Sequence, residues 1–187
     1  MINLSEDRRG LSEVVSTLIL LVVAVLLAAI VTYYATNITM TRTTTEDARV
    51  SKYHIWVNAS GSMGAFKLQN LCGKDILIDK VVIRGVSCAW ADVAYYRVQD
   101  GEDVTGDFVL TYNETEKAFN ATMVGILATA WNTEGDSDIP MRSGETILFS
   151  VADPTNIGLD DIGTPISITV FTNNAQWIIE TNVESAS

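Results

Sequence analysis

Basic side chains are scarce in this chain: 12 Lys and Arg stand against 23 Asp and Glu, a formal net charge of -11 over 187 residues. That balance argues against nucleic acid as a partner, which selects for Lys and Arg patches to meet phosphates. It suits a solvated, self-repelling outer surface. Histidine is almost missing, with His54 alone. One His and no G-x-S-x-G elbow leave a Ser-His-Asp hydrolase without its parts. One His with two Cys hardly furnishes a zinc site. No G-x-x-x-x-G-K loop is present to cradle phosphate. These absences argue against an enzyme, and no cofactor is implied. Cysteine is limited to Cys72 and Cys88, 16 positions apart. In an exported chain this pair is expected to close a small disulfide loop; the other reading is two small buried hydrophobes. Proline is absent before Pro140, and glycine is absent between Gly10 and Gly61. Nothing in that stretch interrupts a helix.

What fills the stretch is an apolar run. Val14 to Thr41 is 28 residues without a charge. Its first part, Val14–Tyr34, has only the hydroxyls of Ser16, Thr17 and Thr32 and two terminal phenols as polar atoms. That meets the length needed to cross about 30 Å of hydrocarbon as a helix. Continued to about Asp47, the helix would be about 55 Å long at roughly 1.5 Å per residue. A secretory signal peptide has a shorter apolar region, about 7–15 residues. A single-pass anchor is physically adequate. A third reading uses the charges. Glu13 sits at the edge of the apolar run, where a charge is costly in lipid and usually has a partner. If the chain is cut after Gly10, the new amine of Leu11 lies close by, and a neighbour's amine could pair with Glu13.

The run RRG-LSEVVSTLILLVVAVLLAA, at Arg8, Arg9, Gly10, Leu11, Ser12, Glu13 and onward, resembles the amino terminus of archaeal type IV pilins and archaellins. The resemblance covers about residues 8–40. It implies a class III leader, residues 1–10, removed by a prepilin peptidase before the helix. It further implies a helix over 11–49 that is first a membrane anchor and then a filament core. Assembly would use Glu13, Val14, Leu18, Leu21, Val25 and Ala28. The implied partners are identical subunits of a homopolymer, the prepilin peptidase, and an assembly ATPase with its membrane platform. The implied location is an extracellular filament, with the precursor in the cytoplasmic membrane. Glu13 departs from the bacterial pattern, in which the acidic residue lies two positions deeper.

From Val50 the texture changes to short alternating runs split by Gly, Asn and Asp. In Tyr53–Asn58 the residues Tyr53, Ile55 and Val57 alternate with His54, Trp56 and Asn58. Similar runs at 65–69, 76–84, 89–99, 108–112, 119–130, 146–151, 166–171 and 177–181 read as strands. Turns are expected at 61–64, 100–101, 134–136 and 173–174. Strands at this spacing read as an all-β sandwich. The fold class expected is therefore α+β: a long N-terminal hydrophobic helix, then an immunoglobulin-like sandwich over 50–187. The polar stretch Thr36–Glu46 is expected to fray, because Thr favours helices less. Sequons for N-glycosylation stand at Asn37, Asn58, Asn113 and Asn120, with a fifth at Asn3 in the leader. The acidic loops 134–138 and Asp153 to Asp161 lack the EF-hand pattern and read as solvated loops. His54 reads as a surface or interface residue, and Trp56, Trp90, Trp131 and Trp177 as core or contact residues. Two other roles stay open: an archaellin of a motility filament, and a membrane-anchored extracellular binding protein.

Overall fold

The structure, a computed structural model, describes residues 4–99, 101–102, 104–113, 118–123, 131–133 and 137–186. The chain divides into two compact units, Met1–Thr44 and Thr45–Ser187. The first is a single helix, α1, Leu4–Thr44. It runs unbroken through the Thr-rich stretch, where fraying was expected. The hydroxyls supply the reason. Thr36, Thr39 and Thr41 donate to the carbonyls of Thr32, Ala35 and Asn37 at 2.9–3.0 Å, one turn back. Such back-bonding satisfies each hydroxyl within the helix, at a small cost to the backbone bonds it shares.

The second unit is mostly β. Its strands are β1 (Ala48–Asn58), β2 (Gly61–Asn70), β3 (Ile76–Ile83), β4 (Val86–Ser87), β5 (Val93–Arg97) and β6 (Phe108–Asn113). They continue as β7 (Ala118–Met123), β8 (Asn132–Thr133), β9 (Ile139–Met141), β10 (Thr146–Ala152), β11 (Pro165–Thr172) and β12 (Gln176–Ser185). Ten of these form one curled sheet, a half-barrel in the order β4-β3-β11-β12-β1-β2-β10-β5-β8, with β9 on β3. All its pairings are antiparallel except one. β1 and β12 meet in parallel only where Ile55, Trp56 and Val57 face Val183, Glu184 and Ser185. This pairing joins two antiparallel halves.

The halves share one core. Phe66, Leu68 and Phe149 from one side cluster with Ile78, Ile83, Ile168 and Val170 from the other. Phe66 stacks on Phe149 with centroids 5.0 Å apart. The alternation in β1 holds: Ile55 and Val57 join this core, while Trp56 faces away into a second, smaller cluster with Met63, Ala65, Tyr96 and Leu148. The β6–β7 hairpin, a separate two-stranded sheet, contributes Phe108 and Leu110 to that second cluster.

One expected turn is displaced. The β1–β2 turn falls at Ala59-Ser60, not at 61–64. Asn58 explains the shift: its Oδ1 accepts the backbone N–H groups of Ser60 at 2.7 Å and Gly61 at 3.1 Å, closing the turn early. Gly64 is instead a strand residue in close packing, since a Cβ there would lie 3.3 Å from Ile83 Cδ1. The β3–β4 turn is two residues, Arg84 and Gly85, at φ 50° and 80°. Positive φ at both positions is the type I′ geometry that matches strand twist. The long strand expected over 89–99 is divided by a 3-10 turn at Trp90–Asp92 before β5.

One carboxylate ties down the start of the unit. Glu46, its side chain 4% exposed, accepts Thr172 Oγ1 at 2.5 Å and Asn174 Nδ2 at 2.7 Å, with Lys74 Nζ at 3.4 Å. The chain entering β1 is thereby held to the β11–β12 turn.

A candidate membrane and assembly helix

The functional candidate is α1. Of its residues, Gly10–Thr41 form a segment long and apolar enough to span a membrane, and none of that segment is buried within the chain. Its apolar side chains do not form a stripe. Leu18, Ile19, Leu20 and Leu21 are consecutive, and each is more than half exposed. Consecutive positions on a helix point about 100° apart, so the run is apolar on all sides. A helix of that kind is stable only inside lipid or among other apolar surfaces. Val14, Val25 and Ala28 share the exposure, as do Ala24 and Ala29, whose small side chains permit close approach of a second helix. Ser16, Thr17 and Thr32 return their hydroxyls to Ser12, Val14 and Ala28 carbonyls at 2.8–2.9 Å, so they present little unsatisfied polarity to the surroundings.

The expected cleavage residues lie in the same helix. Arg8, Arg9, Gly10 and Leu11 are helical, with Gly10 and Leu11 exposed. Glu13 is exposed and has no ion pair among the described residues.

The expected glycosylation residues are spread apart. Asn37 is exposed on α1 and Asn58 ends β1. The Asn58 amide nitrogen has no hydrogen-bond partner among the described residues, while its oxygen holds the turn. Asn113 and Asn120 lie on the β6–β7 hairpin, Asn120 opposite Thr111 and Asn113 opposite Ala118 at its tip. Of the acidic loops, 134–136 fall outside the described residues. Asp161 accepts Arg84 Nη1 at 2.8 Å and the Gly158 N–H at 2.9 Å, and these hydrogen bonds hold its carboxyl below the usual range. Asp153 receives the Ser62 N–H at 3.4 Å. These carboxylates fasten loops.

Cys72 and Cys88 are both free thiols, not the disulfide expected from an exported pair. Cys72 is buried, and its Sγ donates to Asn70 Oδ1 at 2.8 Å. Burial pushes the Cys88 thiol up to about 11; a backbone hydrogen bond at Ile83 works against the shift, and Asp92 adds to it. Both therefore behave as small core residues.

Two clamps were not legible in the sequence. One is Glu46, which carries no motif. The other is His54, whose ring stacks on Trp56 at 5.0 Å. Its Nε2 lies 3.1 Å from Asp107 and its Nδ1 3.1 Å from Glu184. Beside it, Lys52 Nζ donates to the carbonyls of Thr105 and Gly106. Together they fasten the segment entering the β6–β7 hairpin onto β1. The bulge between Ser51 and His54, with Lys52 at φ 53°, sets both side chains in place. The bulge disturbs the period-2 pattern only slightly, so the sequence carried little sign of it.

No protein-family model and no curated protein match this chain.

Proposed function

We propose that this chain is a structural subunit, a pilin, of an archaeal type IV pilus-like surface filament serving adhesion. The observation that carries the reading is the all-apolar exposed helix Gly10–Thr41, preceded by Arg8-Arg9-Gly10. The precursor sits in the membrane through this helix, and a prepilin peptidase cuts between Gly10 and Leu11. An assembly ATPase on another chain then drives subunits from lipid into a helical stack. Lipid tails are as apolar as Leu, so the helices gain by close packing rather than by a hydrophobic drive. Leu18, Leu21, Val25 and Ala28 supply that packing, and Glu13 pairs with the Leu11 amine of a neighbour. The β unit, of immunoglobulin-like sandwich type in this reading, forms the outer sheath, and its acidic surface and glycans face water.

An archaellin would share the leader and the unit plan. A membrane-anchored binding protein would keep its leader. Amino-terminal sequencing of the mature protein decides the main point: a chain beginning at Leu11 supports the proposal, and one beginning at Met1 defeats it. Electron microscopy of sheared surface material, matched to this chain by mass, then tests the filament.

A further inference from the structure

Of the eight described Lys and Arg residues of the β unit, three meet a carboxylate within it. Lys74 meets Glu46 at 3.4 Å, Arg84 meets Asp161 at 2.8 Å, and Arg97 meets Glu145 at 2.7 Å. Lys80 lies over the Phe171 ring at 4.8 Å. Three others gather on the outer face of β1 and β2. Arg49 pairs with Gln69 and Ser51 with Lys67 in the ladder, which puts Arg49 and Lys67 on one face. Lys52 follows at the bulge. Ala48 and Val50, the alternate residues, turn into the core.

No carboxylate lies within ion-pair distance of Arg49, Lys52 or Lys67 among the described residues. Lys67 is half-buried. Burial lowers its pKa, and the charges of Lys52 and Arg49 lower it further. Three like charges held together repel one another, more strongly where water is partly excluded. This arrangement sits on a chain with 23 acidic against 12 basic side chains. A second copy of so acidic a chain can supply a counter-charge to it. Asp79, Asp92, Asp138, Asp160 and Glu180 are exposed and have no ion pair among the described residues.

We infer that Arg49, Lys52 and Lys67 form a docking surface for the acidic β unit of a second copy of this chain. The inference rests on the filament-subunit reading and names the surface through which neighbouring β units meet. Unlike surfaces meet in such a contact, the heterologous arrangement that propagates rather than closes. Its attraction compensates the net repulsion between copies that each carry -11.

The test uses membranes and surface material from cells producing the full chain, treated with a zero-length carbodiimide that joins amines to carboxylates. The expected result is a ladder at multiples of the mass of the mature subunit. Mass spectrometry of its bands should find Lys67 joined to an acidic residue. Their yield should fall about fivefold or more between low and ~0.5 M salt, where screening shortens to a few Å. Arg49→Glu, at an exposed position and leaving the Lys67 amine in place, should lower the yield similarly, with circular dichroism confirming the fold. A ladder linked through other residues alone, or one indifferent to salt and to Arg49→Glu, overturns the docking surface and leaves the filament reading intact. No ladder with this reagent or with a photoreactive cross-linker, from a chain that still begins at Met1, overturns both.

Discussion

Replacing Glu46 by Ala removes an acceptor that three side chains share. The carboxylate is 4% exposed and takes hydrogen bonds at 2.5 Å from Thr172 and 2.7 Å from Asn174, with Lys74 at 3.4 Å. A hydrogen bond to a charged group contributes about 1.5–3 kcal/mol net. The two bonds do not add fully. Asn174 is exposed and regains water, and Thr172 also donates toward Ala175 O at 3.2 Å. The expected loss is therefore about 2–3 kcal/mol. For a unit of this size that corresponds to a fall in Tm of roughly 5–10 °C. The pH dependence follows from the carboxyl's pKa. Burial would raise it, but the hydrogen bonds from Thr172 and Asn174 and the Lys74 charge together hold it below its ordinary value. A carboxylate with a lowered folded pKa stabilises above its unfolded pKa, and that contribution disappears as pH falls through the folded value. Thermal unfolding of the full chain in detergent, followed by circular dichroism at neutral and acidic pH, reads both effects. The gap between the parent and Glu46→Ala should be full at pH 7 and close below the ordinary glutamate range. A variant within about 0.5 kcal/mol of the parent at pH 7, or a gap that widens on acidification, would refute the reasoning.

Other consequences are as direct. His54→Ala releases Asp107 and Glu184 and the stack on Trp56. It should cost about 1 kcal/mol and speed hydrogen exchange in Phe108–Leu110, while exchange in β3 and β11 stays unchanged. Leu21→Arg places a charge mid-helix at about 2.5–3.5 kcal/mol against insertion; membrane fractionation should show less anchored protein, and undiminished recovery would contradict the membrane role of α1. Native protein at pH 8 should leave Cys88 unalkylated by iodoacetamide, because few of its thiols are ionised so far below about 11. Both cysteines should react after unfolding without reductant; a denatured protein that takes up no label until reduced would mean that they are bridged.

The helix and the strand-rich remainder were readable because long-range packing does not alter their patterns. The apolar run lacks Gly and Pro, and Ile55 and Val57 alternate with His54 and Trp56 along one strand. Where the expectation failed, a side chain overruled a propensity. Thr36, Thr39 and Thr41 bond back into the helix, and Asn58 turns the chain before the glycines that looked like the turn. Gly64 looked like turn punctuation but answers to Ile83, a residue of β3 across the core. Glu46, His54 and the Arg49–Lys67 group were hidden for a related reason. Each draws on partners in distant strands, and no local spacing reports on that.

The parallel pairing of β1 with β12 also governs how the unit can be made. Thr181 Oγ1 reaches the carbonyl of Tyr53 at 3.4 Å across a separation of 128 residues. Ala186 N–H closes on the Val57 carbonyl at 2.9 Å. The first strand of the unit thus waits for the last, and the two halves of the sheet are joined only when the carboxy-terminal residues arrive. Sheets closed by contacts so distant in sequence fold slowly, because the loop must be closed before the contacts reward it. Until then β1 exposes an unpaired edge beside the apolar Ile55 and Val57, a surface prone to wrong pairing. Pairing of β12 with β1 is therefore the step that commits this unit to its fold.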